Sequence, residues 1–448
     1  MDQALLDRYG GPVPRYTSYP TAPHFHDGVG AGDYRELLAA VADGERLSLY
    51  LHVPFCKEMC WYCGCHTKVV RRYDPIADYV RLLDRELAMV ADAVSGAAAV
   101  AQIHWGGGTP SMLSDADFTR LMATIGRRFR MAPDAEVAVE IDPRTLTEQM
   151  ARALGAAGVN RASLGVQDFN PAVQRAINRI QPYDMTARAV DWLRDAGIGR
   201  LNFDLMYGLP LQTVADVVRS AGLAADLRPG RIALFGYAHV PWMKTHQRMI
   251  DEADLPNAAA RFEQAEAAAE ALTERGYRQI GLDHFARDED DLAAAQRVGR
   301  LRRNFQGYTA DSAAVLLGFG ASAIGSFENA YVQNAVPFGE YGRAILGGAF
   351  AVRRGLWRGP DDRLRGRVIE RLMCDLQVDL AELSSSDGKD RPFGPERARL
   401  KPLVDDGLAE LDGDLLRVTP RGRPFLRSVC AIFDTYLASG TARHSRAV

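Results

Sequence analysis

From residue 48 onward, short apolar runs alternate with helical stretches, and this alternation restricts the chain to very few folds. Six runs read as strands: SLYLHV (48–53), AQIHW (101–105), EVAVEI (136–141), RASLGV (161–166), LNFDLM (201–206) and RIALFG (231–236). Helical periodicity separates them. Over 75–94, Ile76, Tyr79, Val80, Leu83, Leu87 and Val90 recur at three- and four-residue steps and lay down one apolar face. Strands and helices alternating at this spacing predict parallel βαβ units. Six such units predict an α/β fold, a partial (β/α)6 barrel over 47–285, whose site gathers at the C-terminal ends of the strands.

Those ends carry chemistry. The first strand leads into a cysteine-rich loop, the second into Gly106-Gly107-Gly108-Thr109-Pro110, and the third ends on Glu140 and Asp142. The fourth ends on Gln167 and Asp168, the fifth carries Asp204, and the sixth runs into Tyr237-Ala238-His239. Any one of these is most often a cap or turn residue. Their recurrence at one rim raises the functional reading.

The flanks read differently. Residues 1–46 form an N-terminal arm whose PRYTSYPTAPHFHDG stretch (14–28) has little periodicity but several aromatic rings and Arg15. A flexible tail is the ordinary reading of such a terminus. The rings Tyr16, Tyr19 and Phe25 instead suggest an arm that covers a large apolar ligand, with Arg15 on a carboxylate. Residues 286–358 read as a barrel extension and linker. Residues 359–448 read as a mostly helical C-terminal domain, in which LKPLVDDGLAELDGDLLRVTPRG (400–422) resembles the helix, turn and two-strand wing of a winged helix. A formal net charge of −3 gives no electrostatic drive toward nucleic acid or anionic lipid. The longest apolar-looking run, AAVLLGFGASAIGSF (313–327), is broken by glycine and too short to span a bilayer easily. The N-terminus lacks the basic start and apolar stretch of a signal peptide, so the chain reads as soluble and cytoplasmic.

Four of the six cysteines fall between Cys56 and Cys65, spaced C-x3-C-x2-C-x-C. Such crowding reads as metal binding rather than as a disulfide framework. Three thiolates on one loop can hold three irons of a [4Fe–4S] cubane and leave the fourth open to a ligand. A structural zinc site, with Cys65 as fourth ligand, is the alternative. One intervening residue tends to turn Cys63 and Cys65 apart, which disfavours it. Cys374 and Cys430 lie in apolar surroundings and read as packing thiols.

The motifs carry a resemblance. C-x3-C-x2-C followed by a glycine-rich strand end resembles the radical S-adenosylmethionine superfamily. RYTSYPTA, YLHVPFCKEMCWYCGC, HWGGGTPSML, EIDPR, GVQDFN, DLMYGLP, YAHVPWMK, GLDHFAR and NFQGYT stand in the order of the oxygen-independent coproporphyrinogen III oxidase family. The arm motif together with Cys65 distinguishes this chain from the similar haem chaperones, which carry an aromatic residue at that position and lack the arm. The order of motifs disfavours a tetrapyrrole methyltransferase. The chain's size and an open iron position disfavour a simple electron carrier.

The resemblance implies oxidative decarboxylation of the ring A and B propionates of coproporphyrinogen III to vinyls by a 5′-deoxyadenosyl radical, giving protoporphyrinogen IX in haem synthesis. It implies a [4Fe–4S] cluster on Cys56, Cys60 and Cys63, and two S-adenosyl-L-methionine molecules. The positions matching the first cofactor site are Tyr50, Gly107, Glu140, Ala238 and Ile324; those matching the second are Tyr62, Gly108, Thr109, Gln167, Arg179 and Asp204. Cys65 and Glu140 are the expected catalytic residues. The expected partners are coproporphyrinogen III, a low-potential electron donor and an unidentified electron acceptor, with no nucleic acid and no membrane span, and the enzyme is expected to be a monomer.

Overall fold

A computed structural model describes residues 3–94, 97–385 and 393–437. Strands β1 (Arg46–Val53), β2 (Ala99–Gly107), β3 (Arg130–Ile141), β4 (Arg161–Gln167), β5 (Arg200–Tyr207) and β6 (Arg231–Gly236) pair in parallel in that order. Each predicted strand is found; RIALFG keeps its bounds and the other five are longer by one to six residues. The connecting helices cover the outer face; Asp74–Ala93 buries the apolar stripe expected from its periodicity.

That stripe also buries Glu86, 2% exposed, on the same face. Its carboxylate accepts from Tyr341 Oη (2.8 Å), Asn334 Nδ2 (2.7 Å) and the Gly320 amide (2.7 Å). Burial without a cation pushes its carboxyl up to about 7.

The sheet continues past both ends of the six-strand run. Strand β7 (Val315–Phe319) pairs in parallel with the other side of β1, so the parallel array has seven strands rather than six. Beyond it Ile324–Ser326, Ala330–Asn334 and Val352–Trp357 add antiparallel strands. Beyond β6, His284–Ala286 and Arg278–Ile280 do the same, completing twelve strands. The apolar run 313–327 is thus spent on β7 and its hairpin. Among the described residues no helix is long and apolar enough to cross a membrane.

The C-terminal region packs a second core. Helix Pro360–Asp375, helix Gly394–Asp405 and the hairpin Ala409–Asp412/Leu415–Val418 surround Leu372, Leu400, Leu416, Phe425 and Phe433. Gln377–Asp379 adds a third strand to that hairpin. Cys374 and Cys430 are fully buried there and in the adjoining cluster, and burial pushes both thiols up, as packing thiols require.

The arm departs from its expected role. It contains helices Gln3–Tyr9 and Ala31–Ala39. Tyr16 and Tyr19, each 3% exposed, belong to the C-terminal core, where Tyr16 Oη donates to Asp434 and Tyr19 Oη meets Thr435 Oγ1. Phe25 stacks on Tyr331 with centroids 5.6 Å apart. These rings therefore bind the chain's own domains together and are not presented to a ligand. Removing residues 1–28 would take Leu5, Leu6, Tyr16 and Tyr19 out of this core.

Candidate active site

The cysteine loop leaves β1 and is closed at its base, where Phe55–Cys56 pairs with Lys68–Val69. Asn178 Nδ2 donates to the Met59 carbonyl (2.8 Å), and the Trp61 amide donates to the Ile177 carbonyl (3.0 Å). A segment following β6 straps the other side. Lys244 Nζ donates to Cys65 O (2.9 Å), His246 Nε2 to Cys63 O (2.7 Å) and Gln247 Nε2 to Tyr62 O (3.0 Å).

Within this frame every sulfur of the first three cysteines meets hydrogen-bonding groups. Thr67 Oγ1 donates to Cys56 Sγ at 3.1 Å, and Thr109 Oγ1 lies 3.5 Å from it. Arg144 Nη2 and Arg179 Nη1 reach Cys60 Sγ at 3.3 and 3.6 Å. The Cys65 amide donates to Cys63 Sγ at 3.4 Å. The neighbouring Cys65, with Lys244 and His246 helping, pulls the Cys63 thiol down against the opposing effect of burial. Cys63 in turn pushes the Cys65 thiol up. The expected divergence of Cys63 and Cys65 assumed extended backbone. The loop turns instead, the Cys63 amide bonding Cys60 O at 3.2 Å, and brings the two together.

Beside the loop, the ends of β1, β2 and β3 form a polar wall. Glu140 accepts from the Gly107 amide (3.0 Å) and His104 Nε2 (3.1 Å). Burial pushes its carboxyl up, but these donors prevail and hold it below the ordinary range. Tyr50 Oη donates to His52 Nδ1 (3.0 Å), and His52 Nε2 donates to the His66 carbonyl (3.0 Å). This relay needs a neutral imidazole, and burial keeps His52 neutral by lowering it to about 4. The glycines make the close packing possible. Gly107 has φ +114°, and a Cβ there would lie 2.5 Å from the His52 ring; at Gly108 it would lie 2.7 Å from the Phe55 carbonyl oxygen.

The second group lies around Cys60. Asp142 bridges Arg144 (Nη2–Oδ2 2.7 Å) and Arg179 (Nη2–Oδ1 3.2 Å), and Arg179 Nη2 also donates to Gly165 O at 2.6 Å. Both guanidinium groups keep one buried nitrogen, Arg144 Nη1 and Arg179 Nε, without a hydrogen-bond partner among the described residues. Arg179 is thus already engaged on its own chain, which leaves less of its fork for a ligand carboxylate than its sequence position suggests. Tyr62 packs against the apolar cluster that contains Val173, Ile177 and Tyr237. Thr109 is anchored through its amide to Phe55 O at 2.8 Å. Gln167 sits at φ 68° where the β4–β5 register shifts. Asp204 accepts from Ser163 Oγ (3.2 Å) and Asn202 Nδ2 (3.0 Å), and burial lifts it to about 6.

Tyr50, Gly107 and Glu140 therefore meet on one wall, and Arg179 meets the cysteine loop. Ile324, on the strand next to β7, lies against Gly318, the β7 residue opposite Tyr50. Ala238 follows β6 and lines a cavity of about 1020 Å³ between the strand ends, the arm and the C-terminal region. Sequence reasoning missed Arg144, Thr67, His52 and His104. His52 stands two positions after Tyr50 on β1 and shares its face, a signal available from strand periodicity, and His104 lies opposite Tyr50 on β2.

The radical SAM superfamily model matches residues 50–224, the segment that supplies the loop and most of both walls. The HemN C-terminal domain model matches residues 359–425. Fold and site thus define a radical S-adenosylmethionine enzyme. The chain is 53% identical to the oxygen-independent coproporphyrinogen III oxidase of Bradyrhizobium diazoefficiens, over 97% of each chain. It is 44% identical to the protein of that name from Paracoccus denitrificans, over 100% of this chain and 99% of the other. The solved structure of coproporphyrinogen III oxidase (HemN) from Escherichia coli superposes with a TM-score of 0.90 at 38% identity, over 97% of this chain and 99% of that one. The chain belongs to the oxygen-independent coproporphyrinogen III oxidase family.

Proposed function

We propose that this protein converts coproporphyrinogen III to protoporphyrinogen IX without oxygen, in haem biosynthesis. Each of two propionates loses a hydrogen atom from its β-carbon, one electron and carbon dioxide, and leaves a vinyl group. The observation that carries this reading is the hydrogen-bonded three-cysteine loop opening beside a cavity of macrocycle size, in a chain matching the family along its whole length.

The family implies a [4Fe–4S] cluster and S-adenosylmethionine, and the donor set fits them. Cys56, Cys60 and Cys63 would hold the cluster, because three sulfurs on one loop each already face N–H or O–H groups, and such bonds tune cluster potential. When bound, the cluster and its ligand supply one-electron reduction of a sulfonium and a carbon radical able to take a hydrogen atom. The rest belongs to the protein. Glu140 stays ionised and can accept hydrogen bonds from an ammonium or hydroxyl group of the cofactor. Gly107 and Gly108 let the backbone come close to it. Ala238 and Ile324 would border the same cofactor. Cys65, held at Cys63 by the loop, serves the decarboxylation rather than cluster retention. Tyr62, Gly108, Thr109, Gln167, Arg179 and Asp204 would take a second S-adenosylmethionine, with the unpartnered Arg179 Nε supporting a site for an anionic group. The enzyme works as a cytoplasmic monomer, drawing on a low-potential donor and passing the released electron to an acceptor.

Anaerobic incubation with coproporphyrinogen III, S-adenosylmethionine and a low-potential reductant tests the reading. Vinyl product with 5′-deoxyadenosine is expected. Tight haem binding with no product would assign the chain to haem trafficking instead.

A further inference from the structure

Two parts of the site must keep register: the cysteine loop, and the cavity of about 1020 Å³ that Tyr237, Ala238, His239 and Trp242 help to line. Those cavity residues belong to the segment that leaves β6 and continues as the strap. Three side chains of the strap reach loop carbonyls, those of Lys244, His246 and Gln247. They differ in burial. Lys244 and His246 are partly exposed, so water can replace their bonds at small cost. Gln247 is 1% exposed.

The Gln247 amide is fully used. The Val240 amide donates to Gln247 Oε1 (2.6 Å), and Gln247 Nε2 donates to the Ala238 carbonyl (3.3 Å) and the Tyr62 carbonyl (3.0 Å). A primary amide offers an acceptor and two donors from one planar group, the set that these three partners require. Two of the bonds stay within the segment and close its turn. The third crosses 185 residues of sequence and lands on Tyr62, between Cys60 and Cys63. A glutamine serving the turn alone would need no such bond. The surroundings are apolar: Tyr237 and Ile250, before and after Gln247, are buried with Val173, Ile177 and Leu209, and Trp61 and Tyr62 pack against that cluster. In such surroundings a hydrogen bond is stronger, and an unpaired carbonyl costlier, than at a wet surface.

We propose that Gln247 is a positioning residue that keeps the cysteine loop in register with the macrocycle cavity, so that a radical formed at the loop meets the propionate. The inference rests on the functional reading above. Gln247 acts through Tyr62 and Ala238, whose carbonyls it holds on one amide. Alignment of reacting groups is sensitive to shifts of about an ångström. A radical that misses its propionate takes a hydrogen atom from protein, reductant or buffer and still ends as 5′-deoxyadenosine. Loss of the tie is therefore read as uncoupling, more 5′-deoxyadenosine per vinyl group, rather than as loss of the cluster.

The test uses the cluster-loaded enzyme and two variants of similar size. Gln247→Met keeps the chain length and loses all three bonds. Gln247→Glu keeps the acceptor for Val240 and loses both donors. Both should retain iron and sulfide and raise the ratio of 5′-deoxyadenosine to vinyl severalfold, lowering kcat for vinyl formation more than they raise KM. In the metal-free proteins, amide hydrogen exchange over residues 57–65 should quicken relative to the wild type, a readout independent of turnover. Either quantity at its wild-type value in both variants would overturn the proposal. Gln264→Met controls for a merely structural effect. Gln264 is equally buried and bonds Gly208 (2.9 Å) and Gln212 (2.6 Å), with no bond to the loop among the described residues. It should lower the melting temperature without uncoupling; uncoupling there as well would assign the ratio to general loosening and count against the tie. Where a 247 variant loses its melting transition, Gln247→Asn, one methylene shorter with its amide kept, decides: uncoupling supports the tie and a wild-type ratio overturns it. Wild-type enzyme that forms no vinyl product, with exchange over 57–65 still quickened in Gln247→Met, would contradict the functional reading and leave the tie standing.

Discussion

The two ends of the parallel sheet both hold buried arginines and carboxylates, but they balance them differently. At the N-terminal floor, Arg161, Arg200 and Arg231 open β4, β5 and β6 and meet Glu136, Asp290 and Asp291, three cations with three anions. Glu136, pushed up by burial, is nonetheless held down to about 2 by the guanidinium groups around it. At the C-terminal rim, Arg144 and Arg179 share one carboxylate, Asp142. Matched charges at the floor close on themselves and hold strands together. At the rim two guanidinium groups share one carboxylate and turn toward a cysteine sulfur instead. The difference separates residues that maintain the fold from residues that use it.

The largest contrast is expected between cysteine and floor variants. Cys56→Ser, Cys60→Ser and Cys63→Ser should each abolish the [4Fe–4S] complement and all turnover, while the metal-free proteins melt near the metal-free wild type. Iron and sulfide analysis beside calorimetry measures both; a full stable cluster in any of the three would remove that residue from the ligand set. Arg161→Met should do the reverse. It leaves Glu136 buried and underpaired, a loss of about 3–5 kcal/mol of stability, with cluster content per folded molecule unchanged in denaturant titrations.

Glu86 sharpens the comparison, being a buried carboxylate with no cation beside it among the described residues. Its folded pKa of about 7 lies above its ordinary 4.5, so the folded state binds the extra proton between those values. Stability therefore falls as pH rises from about 4.5 to about 7, by on the order of 3 kcal/mol for this group. Glu86→Gln should flatten that part of the pH–stability curve; an unchanged slope would show that Glu86 is not its source.

Smaller effects are expected inside the loop. Cys65→Ser should retain the cluster and slow decarboxylation, and bleaching of its brown absorbance would instead make Cys65 a ligand. Thr67→Val removes the O–H donor 3.1 Å from Cys56 Sγ. The cluster's midpoint potential should fall slightly in a redox titration, because a donor to sulfur stabilises the more negative, reduced state.

Much of this was legible before any coordinates. The strands follow from short β-branched runs, and the gathering of three thiols follows from their spacing on one loop. Strand β7 was not, because glycines interrupt its run and its parallel pairing with β1 spans more than 250 residues of intervening chain. Glu86 hid within an apolar stripe whose partners come from residues 320, 334 and 341. Arg144 carries no signal in the strand pattern, and only the folded loop brings it to Cys60. The arm's rings were read correctly as apolar and wrongly as outward, since composition does not say which partner a ring meets.

The central claim is that this rim couples radical formation to the loss of two carboxyl groups from one macrocycle. It is tested most directly by counting, under anaerobic conditions, 5′-deoxyadenosine against vinyl groups formed on coproporphyrinogen III. The account predicts one 5′-deoxyadenosine per vinyl and two vinyls per macrocycle at completion. 5′-Deoxyadenosine produced with the propionates left intact would contradict it.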